Sequence, residues 1–183
     1  MSYDIRQRSA SEFVGSFALT FIGAGAVITT SGLYSGDTLD LLMIALAHGL
    51  VLGIFVTALG HVSGAHFNPV VTLGVLVTRR IGIRDAGYYW VAQFAGGIVA
   101  AALLRAVFDD RLADAVNFGA PALGEGVAIG EGFLLEIIMT FFLVFVVFAV
   151  EPALFEECAK IYMLILLTIV RPHVAFVGHV ASG

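Results

Sequence analysis

The chain has 183 residues, of which 60% are hydrophobic and only 13% charged, with a mean hydropathy of +1.00. A soluble domain carries about 25% charged residues, so this composition excludes an ordinary soluble fold and places the chain in lipid. The net charge of -5 comes without a basic patch, which gives nucleic acid no footing as a partner, and the single Cys158 allows neither an intrachain disulfide nor a cysteine-based metal cluster.

The first apolar stretch, Ala10 to Thr30, carries Glu12 near its start. It is too long for a signal peptide and lacks a small-residue cleavage site, so it reads as a retained span. A second span follows over Leu39 to Leu59. The next apolar run, Asn68 to Thr78, is different: about 11 residues at 1.5 Å each reach only about halfway across a hydrocarbon core of about 30 Å. Asn is a favoured N-cap and Pro a favoured first helical residue, so Asn68-Pro69-Val70 predicts the start of a half-helix that enters the membrane and turns back. In a soluble protein Asn-Pro would be an ordinary turn; the flanking spans change that reading. Three further spans are expected over Ala86 to Phe108, Val127 to Val150 and Ala159 to Val180, the last with an unusual Arg171-Pro172 pair inside it. Arg6, Arg8, Arg79, Arg80 and Arg84 fall on one side, and the outer segments hold only Arg111. The positive-inside rule then predicts a cytoplasmic N-terminus and puts Asn68 near the bilayer midplane.

The chain also repeats itself. Glu12, Ser16, Leu19 and Phe21 recur as Glu136, Thr140, Leu143 and Phe145 at one offset of 124, and Gly60-His61-Val62-Ser63-Gly64 returns as Gly178-His179-Val180-Ala181-Ser182-Gly183. Two matches in the same order predict an inverted-topology duplication with a site near the midplane, built as one domain over 1–183: a first repeat of about 10–108 and a partial second repeat of about 127–183. In the second repeat no half-helix and no sixth span follow the Gly178 motif, so a truncated or incompletely reported chain is expected, with a natural short form the alternative. Glu136, deep in its span, is costly unless it faces protein or water, and reads as a buried hydrogen-bond acceptor for the re-entrant backbone. Glu12, near a span end, is either interfacial or a counterpart of Glu136. Gly23 with Gly25 and Gly96-Gly97 read as close helix-packing sites.

Ala47-His48-Gly49-Leu50 and the run Gly60-His61-Val62-Ser63-Gly64-Ala65-His66-Phe67-Asn68-Pro69-Val70-Val71-Thr72 closely resemble the second span and first Asn-Pro-Ala loop of aquaporins, the major intrinsic protein family. Val91-Ala92-Gln93-Phe94-Ala95-Gly96-Gly97 looks like the family's third span. The resemblance implies an all-α membrane protein with an aquaporin-like inverted repeat, here five of six transmembrane helices plus one re-entrant half-helix. It implies that Asn68 points its amide into a pore, that Gly64, Ala65, His66 and Phe67 offer backbone carbonyls below it, and that Glu12 and Glu136 are membrane-buried structural acids. The His66 side chain is either structural or pore-lining. Val70 replaces the usual alanine, and the second Asn-Pro-Ala motif with its following arginine is missing. The pore and selectivity set is therefore Asn68, Pro69, Val70, His48, Gly64, Ala65, His66 and Phe67. By resemblance His48 occupies the second-span constriction, where a histidine favours water over glycerol; a plain bond to a neighbouring carbonyl is the alternative. The fifth-span constriction residue, His173 or one nearer Ala175, stays open.

The function expected is a passive channel for water, with small neutral solutes such as glycerol, urea or ammonia still open, in a homotetramer once completed and in the cell membrane. No cofactor, metal or catalytic residue is expected. The chain as it stands, with one Asn-Pro half-helix, is expected not to conduct by itself. Two other classes stay in view: an ion-coupled carrier using Glu136, and a membrane enzyme with metal on His48, His61 and His66.

Overall fold

The computed structural model describes residues 3–33, 38–124 and 126–149. Within them the chain forms α1 (Ile5–Leu33), α2 (Thr38–Ser63), α3 (Pro69–Val77), α4 (Ile83–Val107), α5 (Asp110–Ala115), a single 3-10 turn over Asn117–Gly119, and α6 (Ile129–Ala149). No strand occurs among the described residues. Helices α1, α2, α4 and α6 are each long and apolar enough to cross a membrane. They correspond to the first four expected spans, with ends shifted by a few residues. The expected span over 159–180, with Arg171, Pro172, His173 and Ala175, and the second Gly-His-Val motif lie outside the described residues.

Local sequence accounts for the helix starts. At α1, the Asp4 carboxylate accepts from the backbone N–H of Arg6 (2.8 Å) and Gln7 (2.9 Å), while the Gln7 side chain takes the Asp4 N–H at 3.0 Å. This reciprocal pair satisfies donors that a helix start otherwise leaves open. At α3, Asn68 is extended (φ -145°, ψ 128°) and its Oδ1 accepts from Val70 N at 2.7 Å, with Pro69 as first helical residue. Nine residues give α3 a length of about 14 Å, half a membrane core.

Helix α1 lies at the centre, packed on α2 and α4. The approach to α4 is set by Gly96: a Cβ there would sit 2.5 Å from the Phe13 carbonyl oxygen, so only a residue without a side chain lets the two backbones meet. Helix α3 packs on α4 and α6, with Gly74 against Val144. Helix α1 begins at Ile5 and α6 at Ile129, so Glu12 and Glu136 are each the eighth residue of their helices.

Candidate channel site

The segment joining α2 to α3 is the centre of the site. Gly64 (φ +87°), Ala65 (φ +49°) and Phe67 (φ +47°) all take the left-handed conformation that side chains disfavour. Such a backbone persists only when its surroundings hold it. Glu12, fully buried on α1, does the holding: Oε1 accepts from His66 N (3.0 Å) and the Ser63 hydroxyl (2.6 Å), and Oε2 from Phe67 N (2.7 Å) and Gln93 Nε2 (2.8 Å). Ala65 N donates to the Ser63 hydroxyl oxygen at 3.1 Å.

These bonds orient the carbonyls. All peptides here are trans, so each N–H turned toward Glu12 or Ser63 sends the carbonyl of the preceding residue the opposite way. The Ala65 and His66 carbonyls therefore point away from Glu12, and the Gly64 carbonyl away from the Ser63 hydroxyl. Phe67 departs from the expected set of four: its carbonyl accepts from the Ser16 hydroxyl at 3.1 Å, and its buried ring packs against Gly15, Leu52 and Val56. It is a core residue that anchors the loop.

Two cavities, both also lined by Leu19 of α1, share Asn68. A narrow one of about 40 Å³ reaches Ala65, His66 and Asn68 between α2 and α6; a wide one of about 610 Å³ reaches Asn68, His48, Glu136 and Phe118. The Asn68 oxygen is committed to the helix cap, which leaves the NH₂ group as the donor end of a side chain whose residue lines both cavities. His48 is buried, its Nδ1 donates to the Ile44 carbonyl at 2.8 Å, and its ring lies against Gly23, where a Cβ would come within 2.1 Å of Nε2. The carbonyl bond and the cavity wall are thus one arrangement, since the first fixes the ring that forms the second.

Pro69, Val70, Gly64 and Phe67 do not line either cavity. Pro69 gives its carbonyl to the Trp90 indole N–H at 3.0 Å, and Val70 is exposed. Glu136 also departs from expectation. It is exposed on the wide cavity rather than buried against the loop, because α6 meets α3 through Val144 and Phe148 at Gly74 and leaves the Glu136 face open among the described residues. The three histidines weighed as metal ligands go to separate partners: His48 to Ile44, His61 edge-on to Tyr3, and His66 Nδ1 to the Thr72 hydroxyl at 3.0 Å.

Sequence reasoning missed the α4 face that braces the loop. Tyr89, Trp90 and Gln93 bond Ser63 O, Pro69 O and Thr72 Oγ1 respectively, spanning the loop from the end of α2 into α3. Three hydrogen-bonding side chains at positions 89, 90 and 93 of an apolar helix share one face, and that spacing is the signal that was available.

The profile of the family described as MIP, Major intrinsic protein, matches residues 1–181. The chain is 37% identical over 154 residues to a probable aquaporin TIP-type alpha of Phaseolus vulgaris, covering 81% of this chain and 58% of the relative. It is 33% identical over 140 residues to aquaporin-4 of Mus musculus (76% and 43% covered) and 36% identical over 140 residues to glycerol uptake facilitator protein-like 6 of Lactiplantibacillus plantarum (75% and 60% covered). The chain thus spans about half the length of the curated relatives it matches. The fold is that of the aquaglyceroporin from Plasmodium falciparum, with a TM-score of 0.81 at 19% identity over 94% of this chain and 76% of that one. A match along nearly the whole chain, carried by apolar helices of membrane-crossing length, makes this an integral multi-pass membrane protein; the chain belongs to the major intrinsic protein family of channels and is not an enzyme.

Proposed function

We propose that the protein serves as a passive channel for water, with small neutral solutes as secondary cargo. The observation that carries this reading is Asn68 at the junction of the two cavities, its amide donors free of the helix cap and backed by the positive end of α3, worth about half an elementary charge. Water oxygen accepts from those donors, and a cation is repelled by them. The carbonyls of Ala65 and His66, the loop residues that line the narrow cavity, offer acceptors there. A water needs about 10–15 Å³ of such space, so a cavity of about 40 Å³ suits a short file of waters. We further assign the N-terminus to the cytoplasm and the protein to the cell membrane as a homotetramer. For Met1–Gly183 reconstituted alone the reading is no conduction, since its one Asn-Pro half-helix supplies one positive helix end at the midplane.

The test is stopped-flow swelling of proteoliposomes carrying either Met1–Gly183 or a chimaera that continues it with the C-terminal portion of the Phaseolus vulgaris relative. Fast water flux of low activation energy in the chimaera, with Met1–Gly183 at the level of empty vesicles, is expected. Glu136 on the wide cavity keeps one second reading alive, that of an ion-coupled carrier. Solute flux that follows an imposed proton gradient would favour that carrier and sink the passive channel.

A further inference from the structure

Tyr89 is fully buried on α4 and stands between the Arg8 end of the helices and the re-entrant loop. Arg8 Nη1 pairs with Asp85 at 2.8 Å, and Arg8 Nε donates to the Tyr89 hydroxyl at 2.9 Å. A guanidinium has no acceptor, so the hydroxyl must receive that bond, and its own proton is directed to the Ser63 carbonyl at 2.7 Å. Ser63 is the last residue of α2, where helix carbonyls lack partners of their own, and the backbone turns left-handed at the next residue. The same Ser63 gives its hydroxyl proton to Glu12 and receives the Ala65 N–H. The Tyr89 ring also meets the His66 ring edge-on, with centroids 5.1 Å apart and planes at 69°.

We propose that Tyr89, its proton aimed by the Arg8–Asp85 ion pair, is a positioning residue that sets the His66 ring and the carbonyls beside the narrow cavity. Two independent contacts lead from Tyr89 to the loop: the hydroxyl fixes where the chain leaves α2, and the ring edge fixes how His66 stands over the passage. The hydrogen bonds run in one direction from Arg8 through the Tyr89 hydroxyl to the Ser63 carbonyl, and the same residue's hydroxyl separately holds Glu12, so a change in the ion pair acts on the residue from which the loop departs. The consequence for water passage rests on the channel reading above; the test does not.

Met1–Gly183 labelled with ¹⁵N-histidine is placed in lipid nanodiscs, and two signals are read: the His66 ring nitrogens, and deuterium exchange at the amides of residues 64–67. Tyr89→Phe, which keeps the ring and removes the hydroxyl, should move the His66 signal and speed exchange at Ala65, His66 and Phe67 by about tenfold, as expected for the loss of one buried hydrogen bond. Arg8→Gln should shift both signals in the same sense, and the double variant should do no more than Tyr89→Phe alone. Tyr88→Phe, on the exposed face, should change nothing. An unmoved His66 signal in Tyr89→Phe overturns the proposal, and additive effects in the double variant overturn the link to Arg8. If Tyr89→Phe does not fold, Arg8→Gln leaves the buried ring in place and an unchanged His66 signal there overturns it equally. A chimaera that fails to conduct while these signals move would count against the channel reading alone.

Discussion

Glu12 on α1 accepts the Phe67 backbone N–H at 2.7 Å across 55 residues of sequence, and through it the left-handed loop is tied to the central helix. The same carboxylate takes three more donors, from Ser63, His66 and Gln93. A fully buried acid at this position is tolerated because every donor around it finds its oxygens. Glu12→Ala should strand four donors, three of them buried, at about 1–3 kcal/mol for each buried one, a loss of more than about 3 kcal/mol overall. Glu12→Gln keeps one oxygen but turns an NH₂ toward donors, and should be intermediate. Unfolding in mixed micelles by added dodecyl sulfate measures both; an alanine variant with the midpoint of the parent would mean that the carboxylate does not hold the loop.

Gly96 and Gly87 lie on the same helix and should answer oppositely to alanine. At Gly96 the added methyl would meet the Phe13 carbonyl oxygen at 2.5 Å and Phe17 N at 3.0 Å, backbone atoms that cannot swing away. Separating α1 from α4 to admit it should cost about 1–3 kcal/mol. At Gly87 nothing lies within 4 Å, so alanine should be neutral or stabilise the helix by up to about 1 kcal/mol. The same unfolding assay checks the pair, and equal midpoints for the two variants would contradict the close approach of these helices.

His48→Ala replaces a ring on the wall of the wide cavity by a methyl group. In the conducting chimaera it should raise glycerol or urea permeability relative to water, read by the ratio of swelling rates in the two solutes. An unchanged ratio would remove His48 from the selectivity set without touching the fold. Gly23→Ala approaches the same wall from the other side: its Cβ would fall 2.1 Å from His48 Nε2, so the ring must leave its bond to Ile44. It should therefore shift the ratio as well, and the two variants together should behave as one.

Much of this protein was legible in the chain itself. Apolar stretches of spanning length gave four of the membrane helices, since lipid requires a helix to satisfy its own backbone and leaves composition as a direct record of depth. Asn68-Pro69 predicted the start of α3, because capping is local chemistry set by two adjacent residues. The offset of 124 anticipated that Glu12 and Glu136 would take equivalent places in their helices. Partners were another matter. Nothing in the residue types distinguishes the Phe67 carbonyl, bonded by Ser16, from its three neighbours that point the other way, because the left-handed turns that reorient it arise only once Glu12 closes on the loop. Sequence placed Glu136 deep in its span and Glu12 near a span end, yet both are the eighth residue of their helices, and it is Glu12 that is enclosed by α2, α4 and the loop while Glu136 faces an open cavity. Burial of a polar group is a property of what packs around it. The bracing of the loop by Tyr89, Trp90 and Gln93 likewise joins residues far apart in the chain, and only the tertiary fold brings them within hydrogen-bonding distance.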